Sequence, residues 1–227
     1  MQIGKYIIGF VILEYLFNSC IKTYLIKISS KTIGKTTYET KHLYEVFLKN
    51  IEFLCGCEGV PVRIRTFDYG FSIDVLNANS MFPGLITVTP AWINKYFSND
   101  NTWKIAIFIT IGHELAHKIK EPKISFGFSK KAKFTNWSRE CRADFFSMMF
   151  AEKYLPEVSK EQLLKAAGLK FDMHKKASFT HPSGSFRYQL IKDYNSIEKS
   201  VFEEIANKVG FKDQNYIDEI AQKSINF

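Results

Sequence analysis

Near the middle of the chain stands the stretch Ile111-Gly112-His113-Glu114-Leu115-Ala116-His117. On an α-helix, residues four apart lie above one another on one face, so His113 and His117 can present two imidazole nitrogens to one metal ion. Glu114 follows about 100° round the helix, outside the ligand face but within reach of a water molecule at the metal. The pattern therefore predicts a helical metal site with a general base beside it.

An apolar run leads into this motif and predicts that its helix is buried. Residues 103–111 are almost wholly apolar, and the polar run 98–102 before them can cap a helix. We therefore expect a helix from about 103 to 120, ended by Pro122. The alternative is that the histidines are ordinary core or surface residues and the glutamate is a solvated charge. Burying two imidazoles and a carboxylate without partners is costly, which favours the metal site.

A second segment supplies the candidate third ligand. Glu140 and Asp144 are four residues apart and open an apolar run, Phe145 to Phe150, which predicts a second buried helix ending before Pro156. We expect Glu140 to bind the metal and Asp144 to accept the free N–H of a ligand histidine, which fixes the tautomer of that histidine. The alternative is that both carboxylates pair with the neighbouring arginines on a solvated face.

The order of these motifs resembles that of a known group of enzymes. His113-Glu114-x-x-His117 followed by Glu140-x-x-x-Asp144 is similar to the gluzincin metallopeptidases of the HtpX, Oma and CAAX-prenyl-protease type. The resemblance implies a zincin-like domain with one Zn²⁺ per chain, held by the two histidines and Glu140. It also implies hydrolysis of peptide bonds in a protein substrate, with Glu114 as the general base.

Two further segments extend the resemblance. His181 and Arg187 stand at the ends of a stretch similar to the His-Pro-x-x-x-x-Arg element of that group. Either side chain could donate to the negative charge that develops on the substrate carbonyl oxygen, so both are candidate catalytic residues. The alternative is a His-Pro turn at a helix start and an arginine that holds the loop. Residues 77–89 resemble the Asn-rich approach to a strand that runs along the cleft.

Departures from that group leave other functions open. Only 22 residues separate His117 from Glu140, and the sequence shows no set of spanning helices like those of the membrane-embedded members. The short gap and residues 108–112 are also similar to the IrrE/ImmA-type peptidases, which favours a regulatory peptidase that cleaves one specific partner. A third alternative is a non-catalytic module with a structural zinc, for which Cys141 would be the spare thiol.

Composition bounds what else the chain could be. At 227 residues and 46% hydrophobic content, it can bury one sizeable core. The formal net charge of +8 favours anionic partners or membrane surfaces, but the lysines are spread along the chain without interleaved aromatics, so we expect no nucleic-acid partner. The four cysteines lack the number and spacing of a disulfide framework, which favours a reducing, cytoplasmic compartment.

The amino-terminal segment is ambiguous. Residues 6–17 are apolar apart from Glu14, but the run is shorter than the roughly 20 residues that span a bilayer. We expect residues 1–35 to form a helix docked on the protein, with association to a membrane surface through residues 3–26 as the alternative. The metallopeptidase domain would then cover residues 36–227.

Periodicity between these ends predicts the fold class. An amphipathic helix over Tyr38–Leu54 precedes two alternating stretches, Val62–Arg65 and Phe71–Val75, and Leu85–Thr89 supplies a third strand. Everything after Trp103 looks helical. We therefore expect an α+β fold, with an antiparallel or mixed sheet of about three strands followed by a mostly helical half that carries the metal site. An edge strand beside the metal could pair with an extended peptide substrate.

Overall fold

A computed structural model of the chain describes residues 38–66, 78–80, 84–97, 100–119, 125, 127–171 and 176–225. Two predictions lie outside the described residues: the amino-terminal helix, with its membrane-associated alternative, and the strand over Phe71–Val75. None of the described helices combines the length and the apolar content that crossing a lipid bilayer requires.

The described residues form an α+β fold in which a small sheet is followed by helices, as the sequence predicts. The elements in chain order are α1 (Tyr38–Cys57), β1 (Arg63–Thr66), β2 (Ala78–Asn79), β3 (Leu85–Val88), α2 (Ala91–Tyr96), α3 (Asn101–Ala116), α4 (Lys130–Tyr154), α5 (Lys160–Phe171), α6 (Gly184–Asp193), α7 (Lys199–Val209) and α8 (Gln214–Ile225).

The sheet is mixed, with the strand order β1-β3-β2. The central strand β3 runs parallel to β1, where Ile86 lies opposite Ile64, and antiparallel to β2, where Val88 lies opposite Ala78. The side chains of Ile64, Ile86 and Val88 are buried, because β1 and β3 both face the core. The predicted strands around 62–65 and 85–89 are confirmed as β1 and β3. The third described strand, β2, lies in the Asn-rich segment that precedes β3.

Helix α3, which carries the histidine motif, is buried over most of its length because it is apolar on nearly all sides. The predicted cap in the polar run before it is confirmed, since the Asp100 side chain accepts a hydrogen bond of 2.8 Å from the backbone N–H of Thr102. The predicted end near residue 120 is wrong. The helix ends at Ala116, and Lys118 N–H donates instead to the carbonyl three residues back, on Leu115, at 2.8 Å.

Helix α4 is longer than the sequence predicts. It begins at Lys130, where the Ser129 hydroxyl caps it by accepting from the Ala132 N–H at 3.1 Å, and not near Glu140. Lys130, Lys131 and Lys133 therefore lie in its first turns. Periodicity missed these turns because lysines alternate there with the buried side chains of the helix. The predicted end before Pro156 is confirmed, since the last helical residue is Tyr154.

Helices α3 and α4 approach closely at Gly112. A Cβ atom added at this position would lie 3.1 Å from Cδ1 of Phe150 and 3.3 Å from Cα of Ser147. Next to this contact, the rings of Phe108 and Phe150 stack with their centroids 5.0 Å apart. Because the residue after Gly112 is His113, the close approach brings the histidine motif of α3 against the carboxylates of α4.

Candidate metal centre

Three side chains bring donor atoms together where α3 packs on α4. Nε2 of His113 lies 3.2 Å from Nε2 of His117 and 3.4 Å from Oε2 of Glu140. Nε2 of His117 lies 3.6 Å from Oε1 of Glu140. His113 and Glu140 are buried and His117 is half-buried. Among the described residues, these three form a group that could hold a metal ion.

The donor atoms lie close enough together to bind one metal ion. Metal–ligand bonds of about 2.0–2.1 Å at tetrahedral angles place neighbouring donor atoms about 3.3–3.4 Å apart. The nearest atoms of the three side chains lie 3.2, 3.4 and 3.6 Å apart, with His113 nearest Oε2 and His117 nearest Oε1 of Glu140, so the side chains are close enough to share one ion. Two imidazoles and one carboxylate also form a donor set that catalytic sites use, with a fourth position left open. The residues present therefore fit a divalent ion such as Zn²⁺.

Asp144 lies behind His113 and determines which imidazole nitrogen carries the proton. Oδ1 of Asp144 is 2.8 Å from Nδ1 of His113, and the carboxylate is buried. Burial alone would raise the pKa of Asp144, but the charges of Arg187 and Lys170 hold it well below its usual range. Because an ionised carboxylate can only accept, the proton of His113 must sit on Nδ1. In the neutral imidazole the lone pair is then on Nε2, the atom nearest the other two donors.

Arg187, on α6, joins the two carboxylates of α4. Its Nε donates to Oδ2 of Asp144 at 2.7 Å and its Nη2 donates to Oδ1 at 2.6 Å, a bidentate pair. The same Nη2 lies 3.8 Å from Oε2 of Glu140. The alternative that these carboxylates lie on a solvated face is therefore wrong, since both are buried. The buried Arg142 of α4 instead donates to the Ala116 carbonyl at the end of α3, at 3.4 Å.

His181 lies on the solvent side of the three donors. Its Nε2 is 3.5 Å from Oε1 of Glu140, and its side chain is 46% exposed. Its Nδ1 lies 2.8 Å from the hydroxyl of Thr180. The segment that carries His181 is held on α4 because the indole N–H of Trp137 donates to the Ser178 carbonyl at 3.1 Å. The structure thus brings both ends of the His-Pro-x-x-x-x-Arg stretch to Glu140.

Glu114 is half-buried on α3, directly after His113. Its negative charge acts on two lysines of different elements. Burial lowers the pKa of Lys118, and the charge of Glu114 opposes this shift. The charge of Glu114 also acts on Lys170 of α5. The predicted base therefore lies near two ammonium groups, one just after α3 and one on α5.

Sequence reasoning missed Lys170. Its Nζ lies 3.2 Å from Oδ1 of Asp144, and its side chain is 8% exposed. Burial lowers the pKa of Lys170 to about 8, against the opposing charge of Asp144. The sequence does hold a signal for it, because Lys170 occupies an i+3 and i+4 position relative to the buried Ala167 and Ala166. A lysine on the apolar stripe of a helix indicates a buried partner.

Cys141 takes no part in the group of donors. It follows Glu140 on α4 and is buried, and burial raises the pKa of its thiol well above the usual value. Among the described residues, the group with metal-ligand spacing comprises the two histidines and Glu140 without this thiol.

Fold and site together define a class: an α+β protein in which two buried helices present a three-donor group that could hold a metal ion. Comparison with known proteins takes this class no further. No protein-family model, no curated protein and no solved structure matches the chain.

Proposed function

We propose that the protein is a zinc-dependent endopeptidase with a zincin-like fold. The observation that carries the proposal is that the nearest donor atoms of His113, His117 and Glu140 lie 3.2 to 3.6 Å apart, close enough for the three side chains to bind one zinc ion. The tautomer imposed by Asp144 supports it, because the Nε2 lone pair of His113 points at the other donors where a cation would sit.

Zn²⁺ bound there would supply a Lewis acid that acidifies a water molecule and polarises the scissile carbonyl. Glu114 would take the proton of the attacking water and pass it to the leaving amine. Its place directly after His113 keeps it off the face that holds the donors but next to it. Asp144 would keep His113 in the metal-binding tautomer throughout.

His181 and Arg187 would act differently. His181 is half in solvent with Nε2 beside Glu140, so it can donate to the carbonyl oxygen of a bound substrate as negative charge develops there. Arg187 is 11% exposed and uses Nε and Nη2 on Asp144. We therefore assign His181 the direct role and Arg187 the positioning of the two carboxylates.

The substrate would be an extended segment of a protein. In the described part of the sheet, β2 is an edge strand, and an edge can accept a peptide through main-chain hydrogen bonds. The Lys118 ammonium donates to the carbonyl of Ser80, which follows β2. This bond ties the end of the edge strand to the turn after α3 that carries His117, so a peptide on β2 would lie beside the metal.

The non-catalytic alternative has less support. A structural zinc is normally closed by four protein ligands, whereas the group found among the described residues has three. The regulatory alternative keeps the same site and differs in substrate. It would be favoured if the purified protein ignored unfolded substrates and cut one folded partner.

The first test is zinc content and hydrolysis in matched variants. The wild type should hold one zinc per chain after dialysis, and Glu140→Ala should hold much less. Glu114→Gln should keep its zinc and lose at least about 100-fold of the cleavage of an unfolded protein substrate. Glu152→Ala, an exposed change on the same helix as Glu140, is the control. No zinc in the wild type, or full cleavage by Glu114→Gln, would refute the proposal.

A further inference from the structure

Lys170 is a buried charge on the apolar face of α5. The other buried residues of this face follow the spacing of a core-facing helix: Leu163, Ala166, Ala167 and Phe171. Replacing a buried ion pair by apolar residues of similar volume is often neutral or stabilising. The pair of Lys170 and Asp144 is therefore weak evidence of a role in stability, and the ammonium can serve another role.

The role of Lys170 follows from the charged side chains around it. Asp144 and Glu140 carry two negative charges, and Lys170 and Arg187 carry two positive charges, so this buried cluster of four is neutral. Arg187 serves both carboxylates, at 2.6 Å from Asp144 and 3.8 Å from Glu140. Lys170 contacts Asp144, on the oxygen that also accepts from Nδ1 of His113.

Removal of the ammonium would leave the guanidinium to balance both carboxylates. Arg187 would then be drawn closer to Asp144, the carboxylate that has lost its second cation, and its 3.8 Å contact with Glu140 would lengthen. Asp144 would lose part of the support that fixes its orientation towards His113. The tautomer and ring angle of this histidine depend on that hydrogen bond.

We propose that Lys170 is a positioning residue of the metal centre, which holds Asp144 against His113 and so allows Arg187 to be shared between the two carboxylates. This inference rests on the proposed zinc site and adds a fourth helix, α5, to α3, α4 and α6, which build it. Because the positive charge is what acts, arginine at position 170 should preserve the zinc site and a neutral side chain should not.

The experiment compares Lys170→Met, which keeps length and removes charge, with Lys170→Arg, which keeps the charge. Lys165→Met is the control, since Lys165 is exposed on the same helix. Zinc affinity is measured by competition with a chelator, and the ligand geometry is measured from the visible absorption of the Co²⁺-substituted protein. Circular dichroism checks that each variant is folded. If Lys170→Met does not fold, Lys170→Gln takes its place.

We expect zinc to bind about 10-fold more weakly to Lys170→Met, with an altered Co²⁺ spectrum. Lys170→Arg should recover most of the affinity and the wild-type spectrum, and Lys165→Met should match the wild type. Unchanged affinity and spectrum in Lys170→Met would overturn the inference. Tighter zinc binding would overturn it too, because the ammonium would then act merely by repelling the ion. Failure of the wild type itself to bind zinc would refute the proposed function instead.

Discussion

Replacement of Asp144 by asparagine tests the arrangement behind the metal site, because it keeps the shape of the side chain and removes its charge. Oδ1 of Asp144 accepts from Nδ1 of His113 at 2.8 Å, and Arg187 binds both oxygens at 2.6 and 2.7 Å. In Asp144→Asn, the amide NH₂ would face either an N–H of Arg187 or the N–H of His113. Donor would then oppose donor, and two buried cations would lose their carboxylate.

The size of the effect follows from burial. The side chain of Asp144 is 1% exposed, so water cannot replace the lost partner. Removing one member of a buried ion pair costs about 3–5 kcal/mol, because the other charge is left uncompensated. We expect the free energy of unfolding of the zinc-free protein to fall by this amount. Zinc should bind about 10–100-fold more weakly, since His113 loses the acceptor that fixes its tautomer.

Urea unfolding of the zinc-free protein and chelator competition measure the two effects separately. Glu152→Gln, an exposed acid-to-amide change on the same helix as Asp144, should alter the unfolding free energy by less than about 0.5 kcal/mol. If Asp144→Asn behaved like this control in both assays, the claim that its buried charge organises the site would be wrong.

Two further predictions concern packing and pH. Gly112→Ala should lower the unfolding free energy by about 1 kcal/mol, because overpacking at the 3.3 Å backbone contact with Ser147 exceeds the gain in helix propensity. The zinc affinity of Gly112→Ala should fall as well. The control is Gly168→Ala on α5, which should be neutral or stabilising because the nearest atom to an added Cβ is 3.5 Å away. Equal urea unfolding curves for the two variants would contradict the prediction. The depressed pKa of Lys170, about 8 against 10.5, means that the unfolded state binds more protons between these values. The unfolding free energy of the wild type should therefore rise by about 3 kcal/mol relative to Lys170→Met between pH 8 and pH 10.5, and parallel pH curves would show that the ammonium is not desolvated.

Some of the site was within reach of the sequence because it obeys a local rule. Two histidines four residues apart on a helix must share a face, whatever the rest of the chain does. The same rule applies to Glu140 and Asp144 of α4. That Glu140 joins the two histidines was a prediction from the order of motifs, and the structure confirms that the three side chains lie together. That the ion is zinc stays a prediction.

Other features depended on contacts that no local pattern encodes. At the end of α3, backbone N–H groups donate to carbonyls three residues back in the chain, and Arg142 of α4 donates to the Ala116 carbonyl. The start of α4 at Lys130 was missed because its first turns are rich in lysine, a composition typical of a solvated loop. Strand β2 has two residues, too few for an alternation to be visible.

By itself, the sequence determined the class of fold, the buried histidine helix and the pairs of side chains that share a face, because these follow from periodicity within one element. Only the tertiary structure decided how α3, α4, α5 and α6 meet. That meeting sets the distances of 3.2 to 3.6 Å between the donors and places Arg187 and Lys170 on the same carboxylate. The physical reason is that a buried charge is tolerated where opposite charges from other helices reach it, and this depends on packing between elements distant in the chain.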